Sequence, residues 1–257
     1  MATTVGSHAA PFLLAEVRHV PALQSLKWLR RGWDDLWHVN GASLTYGGLI
    51  ATTGAVLLML GSSHLYLLVA AVSAYLLVGP VMATGLHELS RRRERGEAPG
   101  FDESLDALSR NPRSLFLFSM LLAGFVLLWF AASEVMLRSV WQHPGPDFAK
   151  LLWGSFFELG TRGQLLPYVA SGALLAAIVF CLSAVAIPLI IDRNASATEA
   201  MWLSVKATAR NLPAMLLWSA LIVVLTAIGF VTLLVGMIVI APLLGHASWH
   251  AYRDLIA

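Results

Sequence analysis

The chain has 257 residues, of which 58% are hydrophobic and 12% charged, with a formal net charge of +2 at neutral pH and a mean hydropathy of +0.72. A soluble domain carries about 25% charged residues, so this chain lacks the polar surface to cover a water-soluble body and is expected to be solvated mainly by lipid. The small net charge, with no basic run interleaved with aromatics, excludes a nucleic-acid partner, and a single cysteine, Cys181, excludes an intrachain disulfide framework or thiolate metal cluster.

Residues 1–43 contain no short apolar core followed by a small-residue cleavage site, so no secretory signal peptide is expected there. The stretch HVPALQSLKWLRRGWDDLWHVN instead mixes tryptophan and leucine with lysine and arginine, the composition of a segment lying at a membrane surface. Residues 1–43 are therefore expected to form a cytoplasmic, interfacial segment ahead of a membrane domain at 44–257. A helix needs roughly 20 apolar residues to cross the hydrocarbon core, where every backbone amide must be satisfied internally. Six segments qualify, at about 44–61, 65–87, 113–136, 166–191, 213–229 and 231–251. The sequence leaves open whether the last two, joined around GFVTLLVG, are separate or one long broken helix. The predicted fold class is an all-α membrane protein, a six-span transmembrane helix bundle with short interfacial helices.

With six spans, the two termini and the loops at 88–112 and 192–212 share one side, which holds all of the 17 Lys and Arg except Arg138, Lys150 and Arg162. Positive residues accumulate on the cytoplasmic side, so both termini are expected to be cytoplasmic. Arg91, Arg92, Arg93 and Arg95 follow the second span directly and form a basic anchor that either fixes topology or contacts lipid headgroups. On the far side, FAKLLWGSFFELG puts Phe148, Leu151, Leu152 and Phe156 on one helical face, which reads as an interfacial helix or a partner-docking surface.

Three stretches read alike: WDDLWHVN (33–40), SLDALSRN (104–111) and SVKATARN (204–211), each followed at once by a span. The second and third align without a gap at an offset of 100. Asn40, Asn111 and Asn211 are the expected helix caps. VGPV, AIPL and IAPL place Pro80, Pro188 and Pro242 as expected kinks in spans two, four and six. The expected unit is a surface helix, a capped span and a proline-bearing returning span. Repeated in parallel at about 33–92, 104–193 and 204–254, it gives a threefold internal repeat of helix pairs.

A charge at bilayer depth is costly and usually functional, and the middle of every expected span has none. This argues against a proton pump, a carrier built on a buried carboxylate, and a haem core at mid-membrane depth. Hydroxyls such as Thr53, Ser171 and Ser219, with Gly47, Gly54 and Gly61 at seven-residue spacing, fit close helix packing. No glycine-rich phosphate loop, H-E-x-x-H or G-x-S-x-G occurs, so no catalytic residue and no cofactor is expected. The nearest approach to a site is the cytoplasmic rim. There His87, Glu88, His246 and His250, with His38 in the same region, offer ligands for zinc, copper or non-haem iron. The plainer reading is that these residues sit at a headgroup boundary and bond helix ends.

The stretches AYLLVGPVMATGLHELSRRRERGE (74–97), AIPLIIDRNASATEAMWLSVKATARN (186–211) and VGMIVIAPLLGHASWHAYRDL (235–255) together resemble a bacterial integral-membrane family, domain-of-unknown-function family 2189. The resemblance covers roughly residues 30–255, and PLLGHASWHAYR is its most specific element. It implies a bacterial inner-membrane protein without an established activity, and it supplies no catalytic residues to carry over. Some members bear a cytochrome c oxidase label, which the absence of membrane-buried histidine pairs does not support as an electron-carrying role. The expected function is a non-enzymatic accessory, assembly or regulatory scaffold of a larger membrane complex, respiratory if the label carries meaning. Its expected partners are membrane lipids and another membrane protein or a second copy. A facilitator or carrier for a lipid-like or amphipathic solute, and a metal- or haem-binding protein at the rim, are the alternatives.

Overall fold

A computed structural model describes residues 16–61, 72, 75, 79–140 and 159–257. Among them are eleven helices: α1 (Gln24–His38), α2 (Asn40–Gly61), α3 (Thr84–Glu94), α4 (Phe101–Ser104), α5 (Asp106–Arg110), α6 (Pro112–Val140), α7 (Leu159–Ser183), α8 (Ala186–Arg193), α9 (Ala197–Arg210), α10 (Leu212–Val231) and α11 (Met237–Leu255). Four stretches are long and apolar enough to cross a membrane: Asn40–Met59, Pro112–Met136, Leu166–Arg193 and Leu212–Val231. They coincide with the first, third, fourth and fifth expected spans. The second, 65–87, falls largely outside the described residues, and so does the whole face of Phe148, Leu151, Leu152 and Phe156.

The sixth expected span is redrawn. α10 and α11 are separate helices, divided by a turn at 232–236 in which Leu233 and Leu234 take φ of 51° and 68°. The Thr232 hydroxyl closes this turn, donating to the Ile228 and Gly229 carbonyls and accepting from the Gly236 amide. α11 is not among the four membrane-length apolar stretches. From His246 onward it is polar, and protein rather than lipid surrounds it: His246, Ala247, Trp249, His250, Ala251 and Tyr252 are all buried. Its most extensive contacts are with α1 and α2.

Glycines set these crossings. A Cβ on Gly32 of α1 would lie 2.6 Å from the Ala247 amide nitrogen, and one on Gly245 would lie 2.5 Å from Leu86 Cδ1 in α3. α11 is thereby held between α1 and α3 at near-backbone distance. Gly47 of α2 meets α11 at a second such point, where a Cβ would stand 1.9 Å from the Ile238 carbonyl oxygen. That carbonyl is four residues before Pro242, which has no N–H to offer it. The proline frees an acceptor, and the glycine lets a neighbouring backbone close over it.

The three prolines act differently. Pro242 lies inside one continuous helix. Pro188 disfavours the helical carbonyl four residues earlier, and α7 and α8 are divided at Ala184–Val185, where Val185 takes φ −129° and ψ 4°. The freed Val185 amide donates to Ser204 Oγ at 3.3 Å. After Pro80 the interruption comes later, at Ala83, and the backbone bonds Ala83 to Gly79 and His87 to Ala83 keep the path helical.

The three asparagines also diverge. Asn111 caps α6, its Oδ1 accepting the Ser114 amide at 3.2 Å. Asn40 is instead the first helical residue of α2, and Val39 accepts the first helical amide, from Ser43. Asn211 occupies the cap position of α10 without capping it. Its Oδ1 accepts the Val20 amide at 2.8 Å, and its Nδ2 donates to the Arg18 and Ala207 carbonyls. The buried Val20 amide needs an acceptor, and Asn211 Oδ1 serves it instead of the helix end. The same segment pairs with the chain beyond α11 through an antiparallel bridge of Val17 and Ile256.

Gly48, one residue from Gly47, has nothing within 4 Å of an added Cβ. Gly47→Ala is expected to destabilise the protein by about 1–3 kcal/mol through overpacking, whereas Gly48→Ala stabilises it by up to about 1 kcal/mol through helix propensity. Thermal unfolding of the two variants in one detergent checks the opposite signs.

Candidate functional site: a buried polar junction

Four helices bring polar side chains to one point. α1 supplies Asp35, α2 supplies Ser43, α3 supplies Ser90 and Arg93, and α11 supplies His246 and His250 on one face, four residues apart. The close crossings at Gly32 and Gly245 make the junction possible, because they bring α1 and α3 against the helix that carries both imidazoles.

The hydrogens run in one direction. Ser90 donates to Asp35 Oδ2 at 2.5 Å, so its oxygen is left to accept from His246 Nδ1–H at 2.8 Å. His246 Nε2 then carries the lone pair and accepts the Ser43 hydroxyl at 2.9 Å. His250 Nε2–H donates to Asp35 Oδ2 at 3.0 Å, and Arg93 pairs with Asp35 Oδ1. Asp35, Ser43, Ser90 and His246 are at most 4% exposed. Burial alone would raise the Asp35 carboxyl, but hydrogen bonds from His250 and Ser90 outweigh it and hold the group below its ordinary 3.8.

A second knot sits beside the first. Glu88, fully buried, accepts from Arg91 Nε and Nη2 at 2.7 and 2.6 Å, from Arg92 at 3.1 Å and from Arg110 at 2.9 Å. Burial raises this carboxyl too, and the Arg91 and Arg110 guanidiniums bring it below its ordinary 4.5. Arg92 continues to Asp106 at 2.6 Å, and Arg95 reaches Asp192 at 3.1 Å. Arg91, Arg92, Arg93 and Arg95 thus each bond a carboxylate of the protein, tying α3 to α1, α5 and α8. A third knot centres on Asp254, which accepts from Gln24, Trp28 Nε1 and Arg31.

The sequence-named metal candidates reach the same end of the bundle without converging on a common point. His250 is turned to Asp35, His246 lies between two serines, and Glu88 is enclosed by arginines. His87 is buried with neither ring nitrogen bonded within the protein, and His38 is exposed. Among the described residues no three His, Cys, Asp or Glu side chains are placed to hold a metal ion. Sequence reasoning missed Asp35, Ser43 and Ser90. One signal was present: Asp35 falls on the Trp28, Gly32 and Leu36 side of α1, where a carboxylate requires a buried partner. A cleft of about 280 Å³ opens beside the junction, lined by Arg31, Asp34, Asp35, Arg93, Glu94 and His250.

Four apolar stretches of spanning length define a multi-pass integral membrane protein. Residues 67–192 match the family described as Predicted integral membrane protein (DUF2189). The match is shorter than the resemblance at 30–255, and His246 and His250 lie beyond it. No curated protein and no solved structure matches the chain.

Asp35→Ala leaves Arg93 and His250 without their buried acceptor and is expected to cost about 3–5 kcal/mol of stability. The pH dependence follows from the lowered carboxyls. Groups held below their ordinary 3.8 and 4.5 contribute stability that is complete above those values and is lost as pH falls through the folded ones. The carboxylate contribution to melting temperature in detergent is expected to be lost below about pH 4.5, read as a smaller drop in this acid range in Asp35→Asn than in wild type.

Proposed function

We propose that the protein is a non-enzymatic accessory, assembly or regulatory scaffold for a larger membrane complex, with the bacterial inner membrane as its location. On this reading it crosses the membrane six times with both termini cytoplasmic and is built from three parallel helix pairs. The observation that supports a non-catalytic role is the closure of the polar junction on itself. Asp35, Ser90, His246 and Ser43 spend their hydrogen bonds on one another and are shielded from solvent. The bundle also leaves apolar surface for a partner helix: only 22% of the apolar 18-residue window within each of Pro112–Met136 and Leu212–Val231 is buried.

Two asparagine contacts favour the repeat. Asn111 reaches the Ala195 carbonyl just before α9, and Asn211 reaches Arg18 and Val20 before α1. Each surface-helix joint thereby grips the backbone leading into another surface helix. The carrier alternative draws less support from the hydroxyls. Thr53, Ser171 and Ser219 donate to carbonyls of their own helices, three or four residues back, which suits packing more than a solute path.

Extraction in mild detergent followed by native mass measurement tests the proposal. The expected result is a stoichiometric complex with one reproducible membrane partner or a second copy. Migration as a lone monomer at every detergent and protein concentration overturns it.

A further inference from the structure

The arginines best placed by sequence to touch lipid headgroups, at 91–95, are consumed by internal carboxylates. Among the described residues Lys27, Arg30, Lys206 and Arg210, on the surface helices, make no ion pair, and Arg18, Arg113 and Arg193 make none elsewhere. α1 has three sides. Trp28, Gly32 and Leu36 face the protein, Lys27 and Asp34 are exposed, and Arg30 lies between Leu26, Trp33 and Trp37 on a third side, spaced three and four residues apart. Trp33 and Trp37 are 45% and 48% exposed. α9 repeats the pairing: Trp202, 68% exposed, is followed at four-residue steps by Lys206 and Arg210.

Both helices end a single residue before a membrane-length helix begins, at Val39 before α2 and at Asn211 before α10. That joint sets the depth of the exposed tryptophans. At such a joint an amphipathic ring is suited to straddle the headgroup and acyl layers, and a cation one turn away is suited to meet a phosphate.

From this juxtaposition we infer that Arg30, beside Trp33 and Trp37, and Lys206 and Arg210, beside Trp202, form a binding surface for anionic phospholipid. Exposed apolar rings enter the acyl boundary, and uncommitted cations take the phosphates. The arginines at 91–95 hold the protein together instead. The inference rests on membrane embedding and is independent of the scaffold reading.

The test uses the full-length protein in detergent with added phosphatidylglycerol or phosphatidylcholine, read by native mass spectrometry and by the lipid-induced shift in melting temperature. Wild type is expected to prefer phosphatidylglycerol. Arg30→Gln/Lys206→Gln/Arg210→Gln loses that preference by roughly tenfold or more, and high salt removes it from wild type. Arg30→Lys/Arg210→Lys retains it, which separates charge loss from misfolding. Arg92→Gln/Arg95→Gln melts lower but keeps the wild-type lipid ratio. An unchanged preference in the triple Gln variant, no preference in wild type, or displacement of phosphatidylglycerol by millimolar inorganic phosphate overturns the inference.

Discussion

A carboxylate taken out of water must be fully bonded or protonated, and Asp35 is the place where this fold meets that demand. Its two oxygens collect a serine, an imidazole and a guanidinium from two other helices. Removing a partner leaves a buried charge uncompensated, which costs far more than the pairing contributes. The surrounding helices are therefore fixed in register as well as in contact. Sliding α11 by one residue against α1 would carry both histidines away from their partners.

That register depends on missing side chains. Gly32, Gly47 and Gly245 stand at the three crossings of α11, each where a Cβ would collide with its neighbour. Close approach makes the bonds around His246 short, and those bonds in turn hold a partly polar helix inside the bundle. The consequence is a division of labour. Apolar stretches on α2, α6, α7 with α8, and α10 have the length to cross a membrane, while α11 from His246 onward is enclosed by protein.

The all-helical class and four of the spans were legible because they follow from composition and length alone. The rim was legible as a region: His87, Glu88, His246 and His250 were all named from their distance past the apolar runs. Their pairing was not, because Asp35 and Ser90 are separated from His246 by more than 150 residues and nothing local signals which helix lies beside which. Asn111 and Asn211 show the same limit. In sequence they are equivalent, yet Asn111 spends its Oδ1 on capping its own helix and its Nδ2 on the Ala195 carbonyl, whereas Asn211 spends its Oδ1 on the distant Val20 amide. The ion pairs of the basic run at 91–95 were not legible for a related reason. Charge counting registers cations but not the acids that fold back onto them.

The contact between α1 and α11 also sets an order of events. Gly32 and Ala247 are more than two hundred residues apart, and at ribosomal rates of about 5–20 residues per second the second follows the first by roughly 10–40 s. Throughout that interval Trp28, Asp35 and Leu36 are without their final neighbours. The stripe of Leu26, Trp33 and Trp37 gives the newborn helix a mooring at the bilayer surface while it waits. α1 is thus among the helices locked last, and a chain interrupted before α11 leaves Asp35 and Trp28 without their partners on that helix.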